Sequence, residues 1–222
     1  MKLTALKYGE TEITERMAFW DGDAEKKLPI ALLFFLIETA NRKILVDVGC
    51  DTMPGFPLYR FCPPSKVLED CGIRCESITD VILTHAHHDH IDALRYYPQA
   101  DIWLQRAELA AAQPYLPQNC RLQLFDAGAT VCPHVEVRHI GGHSAGSSIV
   151  LLTLPKKEYE LCGDECYTRE NLLKKRPTGS SLDLAKSTAF VETYGNNRFC
   201  TVLFHDPELV KEIGSRVLFE EI

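Results

Sequence analysis

The stretch "DVILTHAHHDHIDAL" (residues 80–94) decides how the rest of the chain is read. "DVILTH" has the pattern of an apolar strand and "HIDALRYY" that of a helix, yet their junction crowds together His85, His87, His88, Asp89 and His90. Packing does not ask for this. Burying so many ionisable groups without a metal is costly, and exposing them serves no packing purpose. On an extended segment, side chains two residues apart point the same way. His85 and His87 are therefore placed to grip one metal ion. Asp89 and His90, at the start of the helix, can face a second. His88 has the wrong parity and reads as a structural or surface histidine, as do His134 and His139, which lie before or within a strand.

A catalytic metal commonly takes three protein ligands and keeps a position for water, so further donors are needed. The chain offers them after other apolar strands: His143 after "VEVRHIGG", Asp164 after "YELCG" and His205 after "CTVLF". A carboxylate has two oxygens, so Asp164 can bridge two metals. The expected ligand set is His85, His87, Asp89, His90, His143, Asp164 and His205, for two divalent ions per chain. Histidine and carboxylate donors suit zinc best, with iron, manganese and cobalt open.

Outward from this block, the chain alternates strands and helices. "IALLFFLIET" (30–39) and "KILVDVGC" (43–50) read as strands joined by a polar turn, hence a hairpin. "CDTMPGFPLYRFCPP" (50–64) is a loop, and "SKVLEDCGI" (65–73) a short helix with Ser65 as its N-cap. "ADIWLQ" is a strand and "RAELAAAQ" a helix. "RLQLFDAG", "VEVRHIGG", "SSIVLLTL" and "YELCGDE" read as four strands. "TRENLLKK" and "LDLAKSTAFVETYG" are helices, "FCTVLFH" a strand, "PELVKEIG" a helix and "RVLFEE" a final strand. With helices and sheets in both halves, the pattern predicts an α/β fold of two sheets packed face to face with helices outside, over 222 residues that suit a single domain.

Composition narrows the partners. The net charge of −7 argues against nucleic acid and against an anionic membrane surface. "IALLFFLI" is too short to span a bilayer, and "MKLTALKYGETEITERM" has no signal-peptide features. The nine cysteines are odd in number and lack C-x-x-C spacing. They are expected to be reduced thiols of a cytoplasmic protein, a monomer or homodimer, with a redox or metal role as the alternative for Cys162 or Cys166.

"THAHHDH" (84–90), "GGHSAGS" (141–147), "CGD" (162–164) and "FHD" (204–206), in this order and spacing, resemble the metallo-β-lactamase superfamily from about residue 30 to 207. The resemblance implies an αββα sandwich with a dinuclear metal centre. It assigns His85, His87 and His143 to one metal, Asp89, His90 and His205 to the other, and Asp164 to both. Within the superfamily, "GDECYTREN" (163–171) is similar to a segment of the N-acyl homoserine lactone lactonases, the quorum-quenching group. That likeness puts Tyr167 against the substrate carbonyl. Two departures stand out: "GGH" replaces the usual Pro-Gly-His, with Gly141 expected to take a tight turn, and the segments at 17–29 and 50–64 look shorter than in the lactonases.

The implied activity is hydrolysis of a lactone or related ester. Two dications sharing a water lower its pKa and give hydroxide at neutral pH. Tyr167 takes up oxyanion charge, and Asp89 passes a proton to the leaving alkoxide. Met17, Phe19, Trp20, Met53, Phe56, Tyr59 and Phe61 either line an apolar substrate pocket or pack their loops onto the core. The rival readings are a thioesterase of glyoxalase II type, a phosphodiesterase or nuclease, a di-iron redox protein of flavodiiron type, and a binding protein that has kept the fold.

Overall fold

The computed structural model describes residues 1–155, 157–196 and 198–220. Strands β1 (Lys2–Thr14), β2 (Lys27–Glu38), β3 (Lys43–Val46), β4 (Asp80–Ile82), β5 (Asp101–Gln105) and β6 (Arg121–Phe125) lie in one sheet. The last strand, β12 (Gly214–Glu220), pairs with β1 and closes the order β12-β1-β2-β3-β4-β5-β6. The second sheet holds β7 (Gly128–Cys132), β8 (Val135–His139), β9 (Ser148–Thr153), β10 (Glu158–Leu161) and β11 (Phe199–Val202), in the order β11-β10-β9-β8-β7. Both sheets are mixed: β3 to β6 run parallel, as do β10 and β11, and the other pairings are antiparallel.

Leu33, Phe35, Ile37 and Val46 of the first sheet pack against Val135, Val137, Ile149 and Leu161 of the second. Leu32, Phe34, Leu36 and Leu45 point the other way, as period-two alternation requires, and meet Val67 and Leu68 of α2 (Pro64–Asp70). Short helices α1 (Glu15–Ala18), α3 (His88–Ile91), α4 (Leu109–Ala112) and α5 (Arg169–Leu173) sit in the connections. The longer α6 (Leu184–Tyr194) lies by the second sheet, where Tyr194 is 4.9 Å from Phe199 of β11. The expected αββα sandwich is the observed fold.

Several expected elements differ. "PELVKEIG" is not helical: after Pro207 the chain makes a turn and runs irregularly into β12. Tertiary bonds displace the helix, because buried Lys7 donates to Lys211 O and Arg216 to Leu209 O. Strand β7 was not expected, since "GATVC" is short and opens on glycine. Nor was β1, whose Leu3, Ala5, Leu6 and Tyr8 are buried on both faces and so show no clean alternation. Pro63, not Ser65, stands at the N-cap of α2, with Pro64 in its first turn. "HIDALRYY" is the end of a four-residue α-turn (His88–Ile91) followed by a 3-10 turn, and "RAELAAAQ" is a four-residue α-turn between two 3-10 turns.

Parallel pairing is what positions the site. Val46 of β3 lies opposite Ile82 of β4, so Asp47 and the segment leading to His85 emerge side by side. In the second sheet Leu161 of β10 lies opposite Val202 of β11, so the segments leading to Asp164 and His205 also emerge together.

Candidate metal centre

Two groups of donors meet where these strand ends converge. His85, His87, His143 and Asp164 form one, and Asp89, His90 and His205 the other, with the ligand atoms of each group within 4.8 Å of one another. Every metal-ligand candidate expected from the sequence is in one of them. The two carboxylate oxygens of Asp164 divide between the groups. Oδ2 lies 3.8 Å from His85 Nε2 and 3.5 Å from His143 Nε2. Oδ1 lies 3.1 Å from His90 Nε2 and 3.0 Å from His205 Nε2. His87 reaches the first group through Nδ1, 2.9 Å from His143 Nε2. Asp89 Oδ2 is 3.5 Å from His90 Nε2 and 4.0 Å from His205 Nε2.

The far nitrogen of three rings is fixed from behind, and the chemistry of each partner settles the tautomer. A backbone carbonyl only accepts, so His205 donates from Nδ1 to Ala31 O at 2.9 Å, and its Nε2 faces inward to Asp164 Oδ1 at 3.0 Å. His90 Nδ1 meets Asp47 Oδ2 at 2.6 Å. The Thr84 hydroxyl donates to Asp47 at 2.8 Å, which leaves its oxygen to accept from His85 Nδ1 at 3.1 Å. One buried carboxylate, Asp47, thus orients a ring in each group, directly and through Thr84. The buried His85 Nε2 and His90 Nε2 have no hydrogen-bond partner among the described residues. Inward-facing ring nitrogens gathered around a shared carboxylate are what divalent cations satisfy, so the residues present fit two metal ions.

The two donor groups differ in their electrostatics. Burial pushes His85 well below the usual histidine range, helped by neighbouring His90, and burial pushes His143 down to about 4. Both stay neutral, as ligands must. Burial alone raises the Asp164 carboxyl, but His90 and His205 outweigh it and hold it well below the usual carboxylate range. Burial pushes His90 down, but Asp164, Asp89 and Asp47 outweigh it and hold it well above the usual range. This corner therefore favours positive charge.

Loop geometry holds the second-sheet donors. Gly141 takes a φ of +77°, a tight turn that proline, locked near −65°, cannot make. The "GGH" sequence thus builds a turn of its own. Glu165 accepts from the amides of Gly142 and His143 at 3.1 and 3.3 Å. Glu108 accepts from the amides of Gly146 and Ala86 at 2.7 and 3.0 Å, joining this loop to the histidine block. Gly163, at φ +54°, passes so close to Thr84 that a Cβ would lie 2.9 Å from the Thr84 Cβ.

Tyr167 is 5 % exposed, its ring centroid 5.0 Å from that of His205. Burial, then Asp164, holds its phenol well above the usual tyrosine range, so it remains a proton donor at neutral pH. It faces a cavity of about 500 Å³ whose floor includes His87, Asp89, His143, Asp164 and His205. Of the seven apolar wall candidates, Met17, Met53 and Phe56 line this cavity. Phe19 is buried in a small cluster with Ile13, Ile30 and Tyr167, while Trp20, Tyr59 and Phe61 lie at the surface. His88 joins neither metal group but stands on the cavity wall, bonded to Tyr115 and Thr52.

Sequence reading missed Asp47, Glu108, Glu165 and the wall residues Ile13, Ile30 and Tyr115. Asp47 had a discernible sign: an acidic residue directly after the apolar run "KILV". The others had none.

Residues 33–193 match the sequence profile of the metallo-beta-lactamase superfamily. An N-acyl homoserine lactonase from Bacillus cereus is 30 % identical over 215 residues, covering 85 % of each chain. An N-acyl homoserine lactone hydrolase, solved with the product N-hexanoyl-L-homoserine at its catalytic metal centre, superposes with a TM-score of 0.79 at 20 % identity, covering 95 % of each chain. A dizinc quorum-quenching lactonase solved with a product superposes at 0.73 and 19 % identity, covering 99 % of this chain and 94 % of its own.

Proposed function

The chain belongs to the metallo-beta-lactamase superfamily, and from that premise we propose that it is a dinuclear metal-dependent hydrolase that opens lactone rings as the N-acyl homoserine lactonases do. The observation that carries this reading is Asp164, which turns one oxygen to each donor group beneath an apolar cavity. His85, His87 and His143 would hold one cation, Asp89, His90 and His205 the other, with Asp164 facing both groups. Zinc suits this nitrogen and oxygen set. When bound, such a pair supplies Lewis acidity and a hydroxide nucleophile at neutral pH.

The chain's own residues do the rest. The cavity walls Ile13, Met17, Ile30, Met53 and Phe56 take an apolar acyl group and exclude water. Tyr167 donates its phenol proton to the carbonyl oxygen as negative charge develops there. Asp89, partly exposed at the edge of the site, takes the proton of the hydroxyl added to the carbonyl carbon and passes it to the leaving alkoxide as the ester C–O bond breaks. Both sheets contribute to this one site, so residues 1–222 are read as a single hydrolase domain. Its partner is a small ester or lactone, with no nucleic acid or membrane, and it acts as a monomer or homodimer. The nine cysteines are unpaired, which suits a reducing compartment such as the cytoplasm. No described helix is long and apolar enough to cross a membrane.

The test is to measure metals per chain and to assay lactones, thioesters, β-lactams and phosphodiesters side by side. Lactone ring opening should dominate, and a preference for thioesters overturns the substrate assignment. Tyr167→Phe should lower kcat more than it raises KM, by roughly 1.5–3 kcal/mol in transition-state stabilisation, at unchanged metal content. Unchanged ring opening in that variant would make the tyrosine structural.

A further inference from the structure

The carbonyl oxygen of Met17 is approached by more donors than it can serve. The backbone amides of Gly179 and Ser180 each lie 3.0 Å away. The hydroxyls of Thr178 and Ser180 each lie 3.1 Å away. A carbonyl oxygen has two lone pairs. Amide protons are fixed by the backbone and cannot turn aside, whereas hydroxyl protons rotate to the best remaining acceptor. The two amides therefore occupy Met17 O, and the two hydroxyl protons point elsewhere. For Ser180 the remaining acceptors are Tyr167 Oη at 3.0 Å and Thr178 Oγ1 at 3.3 Å.

We infer that Ser180 is a positioning residue: it donates its proton to the phenol oxygen of Tyr167 and so turns the phenol proton toward the substrate carbonyl. The inference rests on the oxyanion role read for Tyr167 above. Thr178 donates in turn to Ser180, giving a one-way chain of hydroxyls, Thr178 to Ser180 to Tyr167. Accepting a hydrogen bond also polarises the phenol, so it donates more strongly. The reverse chain would aim the phenol proton at Ser180, away from the reacting atoms.

The surroundings hold this turn in place. Thr178 is fully buried. Gly179 admits no side chain, because a Cβ would fall 1.7 Å from Arg16 O. Asn171 clamps the two strands of the turn by donating to Ala18 O at 2.8 Å and to Arg176 O at 3.0 Å. Trp20 N donates to Pro177 O at 3.0 Å. The 176–180 segment thus cannot slide relative to Met17, and the competition at its carbonyl is built in.

Two measurements on the metal-loaded protein test this. Neutron diffraction from deuterium-exchanged crystals should place a deuterium on Ser180 Oγ, directed at the Tyr167 oxygen. A deuterium on the phenol oxygen directed at Ser180 overturns the inference. In steady-state hydrolysis of an N-acyl homoserine lactone, Ser180→Ala should lower kcat about fivefold to tenfold, the scale of one neutral hydrogen bond, with KM nearly unchanged. Ser180→Thr, which keeps the hydroxyl, should restore most of that loss. In a Tyr167→Phe background, Ser180→Ala should cost nothing further. An equal loss in both backgrounds, or no rescue by threonine, overturns the positioning role. If wild-type protein opens no lactone, the substrate reading falls, while the neutron map still decides the direction of the hydroxyl chain.

Discussion

The two sheets supply the site in different ways. The first delivers His85, His87, Asp89 and His90 as one block past β4, while the second delivers His143, Asp164 and His205 singly, past β8, β10 and β11. The block is braced by Asp47, a buried carboxylate that accepts from the Thr84 amide and hydroxyl and from His90. The single donors are braced by backbone: Ala31 O behind His205, and the amides gathered by Glu165 around His143. His85 and His90 thus share one support, so a change at Asp47 reaches a ring in each donor group. Scattered donors each have their own support and can be removed one at a time.

Removal of single donors is the hardest test of that contrast. Asp164→Ala should take metal content from about two ions per chain to fewer than one, and abolish hydrolysis, because both groups lose an oxygen. His205→Ala should lose one ion and keep the other. Elemental analysis separates these outcomes, and one ion or none in metal-supplemented wild-type protein would sink the dinuclear reading. Asp89→Asn comes next. On the proposed reading the block residue Asp89 both faces a cation and moves a proton, so kcat should fall at least about a hundredfold. A near-wild-type rate would leave the proton transfer without support.

Asp47→Asn probes the shared support. It should weaken metal affinity about tenfold to a hundredfold, at both positions rather than one. Competition with a chelator, read as ions released per chain, checks this. Loss at a single position would mean that Thr84 does not carry the effect to His85.

The smallest effect concerns the second sheet's own buried carboxylate. Glu160 is fully buried on β10, and neither oxygen has a hydrogen-bond partner of normal geometry among the described residues. Burial holds its carboxyl well above the usual range. A raised folded value means the folded protein holds the proton after the unfolded chain has released it. The associated stability is therefore present below the unfolded value of about 4.3 and is lost as pH rises toward the folded one. Glu160→Gln should leave Tm unchanged at low pH and raise it at pH 8, by about 2–4 °C for each kcal/mol recovered. Equal shifts at both pH values would show that Glu160 does not titrate with folding.

The sandwich and the two converging donor groups were legible in the amino-acid pattern. Apolar strand runs carry their period into the fold, and His or Asp directly past such runs has no packing purpose. The block at 85–90 was legible because its members are neighbours in the chain, and the single donors became so once that block called for further ligands. Tertiary structure alone decided what lies behind and above them. Asp47 orients His85 and His90 because parallel pairing of β3 and β4 brings their ends together. Glu108 and Glu165 look like ordinary surface acids in the chain, yet both are buried beneath backbone amides. "PELVKEIG" has helical periodicity, but bonds from Lys7 and Arg216 hold it in another shape. The proton direction at Tyr167 depends on how many donors crowd one carbonyl of a residue 150 positions away in the sequence. Local pattern fixes which face of a strand is apolar, but hydrogen-bond partners drawn from distant segments are set only when the chain is packed.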